Sequence, residues 1–368
     1  MRIDFLFAVG ATVAVVLSET APVKHPGLAA ASVPLAQQPA GATEPTGPAW
    51  VAQSSGTTVR LRGVSAASRH VVWASGEKGT VLRTSDGGAS WAALQVPDAG
   101  SLDFRDIDSV TDRTAYVLSI GTGGLSRIYK TTDAGRSWAL QFVNADPEAF
   151  FDAMAFSDGE TGYAFSDSVD GRFVVLRTTD GGVSWMRLPP AALPPAVAGE
   201  GAYAASGTNI AVGGRNVWIG TTASRVLRSN DGGRTWQVSP TPLAHGPSAG
   251  IFSVAFKDGS NGVVVGGDYR KEGEALDNLA FSTDGGGTWR LAAGLTGFRS
   301  AVAYVPASPT TILAVGPSGT DYSTDSGGTW RSVPGPGFHA LSFAPGTSTA
   351  WAVGEKGSIS RIDLEGVR

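Results

Sequence analysis

At 368 residues, with 50 glycines, 16% charged residues and no cysteine, the chain suits many short strands joined by tight turns and excludes disulfides and thiolate metal sites. A formal charge of −4 gives no general attraction to nucleic acid or an anionic membrane, and four histidines are too few for a multi-histidine metal centre. The 42% of hydrophobic residues leaves ample apolar surface for a core.

Met1-Arg2-Ile3-Asp4 precedes an apolar run from Phe5 to Leu17. That run is too short to span a bilayer but has the length of a signal-peptide core. Residues 1–21 are therefore expected to be an export signal that leaves no stable membrane span, so that the protein works in the periplasm or outside the cell. Residues 22–48 are rich in Ala, Pro and Gly without periodicity, the composition of a disordered tether.

The octet Thr84-Ser85-Asp86-Gly87-Gly88-Ala89-Ser90-Trp91 then returns at 131–138, 178–185, 229–236, 282–289 and 323–330. Its aspartates are Asp86, Asp133, Asp180, Asp231, Asp284 and Asp325, spaced 47, 47, 51, 53 and 41 residues apart. A period of this size means one supersecondary unit repeated in space. Asp and Gly suit a tight turn, and the closing Trp starts a strand with a large apolar ring. Between octets each unit carries three apolar runs, as in Phe151 to Phe156, Gly162 to Phe165 and Phe173 to Arg177, and no helical period appears. Four short strands per unit is the pattern of a propeller blade.

Second strands centred on Trp73, Tyr116, Tyr163, Trp218, Val264, Leu313 and Trp351 count seven blades. The seventh unit ends without an octet or a fourth strand. Pro48 to Gln53, which contains Trp50, is expected to supply that outer strand and close the ring. The expected fold is all-β: one seven-bladed β-propeller over residues 49–364, with four-stranded antiparallel blades, acting as a monomer.

Propeller geometry places the octets in the third-to-fourth turns of the outer rim, so their aspartates are expected to be structural rather than catalytic. Ligands are expected at the opposite face, where each inner strand begins. Aligning the units puts Arg62, Arg105, Asp152, Ser253, Arg299 and His339 there, with the fourth blade less clear near Ser206. Three arginines converging on a channel mouth suit a carboxylate or phosphate. Two insertions add candidates: 268–278, with Asp268, Tyr269 and Arg270, and 189–209, with Glu200 and Tyr203, which is expected to curl over the channel. No dinucleotide-binding or haem-attachment motif occurs, so no cofactor and no metal are expected.

The octet resembles the Asp box of bacterial neuraminidase (BNR) repeats. Across residues 49–364 the chain resembles the photosystem II stability/assembly factor-like BNR propellers, through Leu61-Arg62-Gly63-Val64 with Trp73-Ala74-Ser75-Gly76 and through Trp351-Ala352-Val353-Gly354. This resemblance implies an exported, non-catalytic scaffold that binds a protein segment, an anionic small molecule or a glycan at the channel mouth. The alternative is a glycoside hydrolase, which needs two carboxylates across a cleft. Asp152, Glu200 and Asp268, with Asp167, are its candidate acids. Tyr203 beside Glu200 mimics the Tyr/Glu pair of sialidases, yet Arg60-Leu61-Arg62-Gly63 lacks the sialidase proline and sialidases have six blades.

Overall fold

The computed structural model describes residues 47–367; the expected export signal and nearly all of the expected tether lie outside them. Among the described residues twenty-eight strands form seven antiparallel sheets of four. In blade 1 they are Leu61–Ala66, Val72–Gly76, Thr80–Thr84 and Ala92–Leu94, each paired with the next. The innermost strands of blades 2 to 7 are Phe104–Ser109, Phe151–Phe156, Ile210–Gly213, Ala249–Phe256, Ala301–Val305 and Ala340–Phe343. Each lies against the innermost strand of the next blade, and that of blade 7 against blade 1, so the ring is closed. The seven expected second strands are all present. Among the described residues no helix is long and apolar enough to cross a membrane.

Closure uses the N-terminal segment as its Trp implied. Val51–Gln53 pairs antiparallel with Ile359–Asp363, matching Val51 with Arg361 and Gln53 with Ile359, and so becomes the outer strand of blade 7. Trp50 packs its ring 4.6 Å from Phe338 and donates through Nε1 to Thr320 Oγ1 of blade 6.

Polar side chains also stitch adjacent inner strands together. Met154 N–H donates to Asp106 and Phe156 N–H to Asp108, each at 2.7 Å, while Ser253 Oγ accepts from Val302 N–H and Ser342 Oγ from Ala66 N–H. Unpaired inner-strand amides cannot be left dry, so each needs such an acceptor.

The six octets share one hydrogen-bond pattern. In the first, Asp86 Oδ1 accepts from the Thr84 hydroxyl (2.7 Å) and the Ser90 amide (2.9 Å), and Oδ2 from the Ser90 hydroxyl (2.5 Å), while Thr84 Oγ1 accepts from Gly88 N–H. The fourth residue is left-handed in every copy, including Ala134 (φ 65°) and Ser326 (φ 64°). That geometry turns its amide onto the hairpin between first and second strands: Gly87 onto His70, Ala134 onto Arg113, Gly181 onto Glu160, Gly232 onto Arg215, Gly285 onto Ser260 and Ser326 onto Thr310. The octets therefore sit at the end of each blade away from the start of its inner strand.

Two carboxylate classes set opposite pH dependences. The amide and hydroxyl of the Ser or Thr four residues on hold Asp133, Asp180, Asp284 and Asp325 down to about 2, and Asp86 and Asp231 are held low in the same way. Burial instead pushes Asp106 up to about 7 and Asp108 up to about 6. Between pH 4 and 2 the unfolded chain binds more protons at the octets, so stability falls as pH drops. Between pH 4 and 7 the folded chain binds more protons at Asp106 and Asp108, so stability falls as pH rises. Urea midpoints measured against pH should therefore peak near the acid end of the range, and Asp106→Asn should flatten the limb above pH 4.

The 189–209 insertion runs across the channel rather than over its rim. Ala204 O accepts from Arg105 Nη1 of blade 2 (2.9 Å), and Ser206 Oγ donates to Ser300 O of blade 6 (2.9 Å), nearly opposite in the ring. Thr208 Oγ1 donates to Ser253 Oγ of blade 5 (2.7 Å). Gly201 and Gly207 make this path sterically open. A Cβ on Gly207 (φ 73°) would fall inside the Asp106 carboxylate, and one on Gly201 inside that of Asp167.

Candidate functional site

Above this crossing segment lies a cavity of about 580 Å³, within the usual size of a ligand pocket. Every blade but the fourth contributes a residue from its inner strand or from the position just before it: Arg62, Arg105, Asp152, Phe252, Ser300 and His339. In blades 1, 2, 3 and 5 that residue is a bulge. The register slips between Leu61 and Gly63, Phe104 and Asp106, Phe151 and Ala153, and Ile251 and Ser253, leaving the residue between them unpaired and aimed inward.

Two expected positions are thus one residue off. Ser253 belongs to the inter-blade stitching, and Phe252 takes the place at the mouth. Arg299 is fully buried: it donates from Nε and Nη2 to Asp321 Oδ2 at 2.9 and 2.6 Å, and its Nη1 is used by Phe298 O and Ser318 Oγ. It offers nothing to a ligand, and Ser300 stands at the mouth instead. Arg299 occupies the position of Leu61, Phe104, Phe151, Ile251 and Phe338, which are apolar in the other bulged or aligned blades, and this disguised the register. The signal was present in the apolar residue two places beyond each mouth residue, Val64, Ile107, Met154, Val254, Val302 and Leu341.

The remaining cations differ in what holds them. Arg60 bridges Glu77 (2.9 Å) and Glu355 (3.6 Å). Arg105 Nε meets Asp103 at 2.8 Å, and its Nη1 is on Ala204 O. Arg62 has no hydrogen bond and no ion pair among the described residues, and its buried Nε is unpartnered. Burial, then Arg105 and Arg60, pull its guanidinium down to about 10, still charged at neutral pH. His339 is not a further cation. Burial and then Arg62 hold it at about 4, so its neutral ring donates Nε2–H to Glu355 Oε1 (2.8 Å) and keeps Nδ1 as a bare acceptor.

Asp152 is 1% exposed, and burial together with neighbouring Asp167 raises it well above the carboxylate range. Asp167 is raised too, by burial, and accepts from Ala202 N–H (3.1 Å). The Oδ2 of Asp152 is buried without a hydrogen-bond partner, and the upward shift disfavours the anion that would neutralise Arg62. One wall is aromatic, built from Tyr203, Phe252, Tyr269 and Phe298.

Other expected site residues fall elsewhere. Glu200 is 2% exposed and satisfied by Arg225, the Thr221 hydroxyl (2.6 Å) and the Val197 amide (2.9 Å); it anchors the insertion and lies outside the cavity lining. Asp268 is held low by the Ser248 hydroxyl and the Arg270 amide at the base of its loop, and neither it nor Arg270 lines the cavity. The guanidinium of Arg270 sits 5.9 Å from the Tyr269 ring. Glu272 and Glu355 reach the mouth from loops between second and third strands, whereas Phe150 and Phe298, which carried no sequence signal, come from the connections between one blade's outer strand and the next blade's inner strand. No group of three or more potential metal ligands occurs among the described residues.

No family model and no curated protein matches the sequence. Solved structures do. YCF48 bound to D1 peptide is 18% identical over 85% of this chain and 96% of its own, with a TM-score of 0.60. YCF48 from Cyanidioschyzon merolae is 18% identical over 87% and 100%, with a TM-score of 0.62. The GH74 xyloglucanase from Xanthomonas campestris is 19% identical over 86% of this chain but 54% of its own, with a TM-score of 0.60. At such identities the likeness is one of fold, and YCF48, a photosystem II assembly factor, meets the resemblance read from the sequence at that level. The chain is a seven-bladed β-propeller of the same fold as these proteins, closed by its N-terminal strand.

Proposed function

We propose that this protein is an exported, non-catalytic propeller that holds an acidic protein segment at its channel mouth. The carrying observation is Arg62: a half-buried cation, flanked by Arg60 and Arg105, with no ion pair to a carboxylate among the described residues. A buried charge without a partner is unfavourable, and a ligand carboxylate removes that penalty while gaining charge-assisted hydrogen bonds. The YCF48 structure that contains a D1 peptide supports a polypeptide ligand for this fold. The apolar run at residues 5–17 supports export.

The likeness to a xyloglucanase favours a hydrolase only if two free carboxylates face each other across the cavity. Asp152 and Asp167 instead sit on adjacent strands of one blade, Asp167 bonded to Ala202 N–H, and Glu200 is sequestered. The binding reading is tested with an array of heptapeptides of graded acidity, followed by anisotropy titration of the best binder. Arg62→Ala should weaken binding roughly 10- to 100-fold, as loss of one charged hydrogen-bond partner does, and Arg62→Glu should abolish it. Equal affinity for acidic and neutral peptides, or an unchanged Arg62→Ala, would overturn the reading.

A further inference from the structure

Resting on that reading, we propose that Tyr203 and Tyr269 form an aromatic platform that selects an apolar side chain next to the acidic group of the bound segment. The two insertions that stretch the repeat each deliver one of these rings to the same wall. Tyr203 lies parallel on Phe252, with centroids 3.8 Å apart and planes at 7°. Tyr269 stands edge-on to both at 6.1 Å, and Phe298 backs Phe252 at 4.6 Å. Phe252 and Phe298 are 3% and 2% exposed and serve as the base, whereas Tyr203 is half-buried and Tyr269 is 40% exposed. The outer pair therefore presents ring surface in the cavity.

The platform is held in place before any ligand arrives. Tyr269 N–H donates to Ser248 O (3.1 Å), Phe298 N–H to Glu272 O (2.9 Å) and Ala244 N–H to Asp277 O (2.8 Å), pinning the 268–278 loop at its start, middle and end. A pre-positioned aromatic surface loses little entropy on binding. An exposed tyrosine on a pinned loop is also unlike the solvated tip of a merely tolerated insertion.

The spacing of the ligand's groups follows from Arg105. Its Nη1 is bonded to Ala204 O, the residue after Tyr203, so the cationic and aromatic halves meet within one residue of each other. Extended chain advances about 3.3–3.6 Å per residue, so the acidic and apolar side chains must be at most two positions apart. The adjacent cations favour an acidic peptide over a neutral glycan, although sugars also stack on tyrosine.

The test uses the heptapeptide array in parallel with an oligosaccharide array, on wild type, Tyr203→Ala, Tyr203→Phe, Tyr269→Ala and Arg62→Ala. Wild type should enrich peptides with Phe, Leu or Trp within two positions of an acidic residue. Each Tyr→Ala change should weaken those peptides roughly tenfold and leave acidic peptides without an apolar residue unchanged. Tyr203→Phe should retain binding, and Arg62→Ala should weaken both peptide classes. Tyr269→Ala alters an exposed loop residue, so its effect is separable from any folding defect at Tyr203. Acidic binders with no apolar preference, or binders indifferent to both Tyr→Ala changes, would overturn the platform while leaving the acidic-segment reading intact. Binding of no acidic peptide would overturn that reading itself, and capture of oligosaccharides alone, lost in the Tyr→Ala proteins, would replace the peptide with a glycan.

Discussion

Arg299→Leu is expected to lower the unfolding free energy by about 3–5 kcal/mol, and the double change R299L/D321L to restore at least half of that loss. In the single variant Asp321 is left as a fully buried charge whose closest cation has gone. Only the Thr296 amide and hydroxyl and the Ser332 hydroxyl would remain to satisfy it. The double variant returns blade 6 to the chemistry of its neighbours. The positions of Arg299 and Asp321 hold Leu61 and Leu82 in blade 1, packed in one apolar cluster, and Phe104 and Tyr129 in blade 2, with rings 5.9 Å apart. Urea unfolding of the three proteins measures this directly. A single variant as stable as wild type, or a double variant worse than the single, would refute the assignment. Peptide binding by R299L/D321L should stay close to wild type, because Arg299 does not reach the cavity.

Removing the chain up to Gln53 is expected to lower the melting temperature by about 10 °C and to produce oligomers. Three losses combine. The ladder from Val51–Gln53 to Ile359–Asp363 disappears and leaves a bare edge on blade 7. The Trp50 ring no longer covers Phe338, nor does its Nε1 reach Thr320 in blade 6. Gln53 also links to blade 1, donating to Gly87 O and accepting from Trp91 Nε1, each at 3.1 Å, so the ring is opened on both sides of the last blade. Circular dichroism melts with light scattering would show both effects, and a synthetic peptide spanning residues 47–58 should reverse them. A truncated protein that melts within about 2 °C of the full chain and scatters no more than it does would show that closure rests on the inner strands alone.

Most of the fold was legible because its signals are local. An octet is a turn whose Asp, hydroxyls and left-handed residue satisfy one another within eight positions, and six copies count the blades almost by themselves. Trp50 was legible as the missing outer strand because every octet hands the next strand a Trp. The mouth was legible in outline, through Arg62, Arg105, Asp152 and His339, and wrong by one residue at Arg299 and Ser253. That error has a physical source: a bulge inserts one unpaired residue and slips the in-and-out alternation by one on either side of it, and blade 6 carries an arginine where apolar packing would have marked the register.

The sequence by itself determined what short-range chemistry can specify, namely seven units, their strand order and the way the ring closes. Only the tertiary structure decided which side chains are free. Arg62 and Arg299 are indistinguishable as residues, yet one has no ion pair among the described residues and the other is neutralised by Asp321, which lies on another strand of its own blade. The same holds for Glu200, consumed by Arg225, and for Tyr203 and Tyr269, separated in the chain and brought edge to face by two pinned loops. Charge and aromatic surface act through what surrounds them, and in a closed ring those surroundings come from blades distant in sequence.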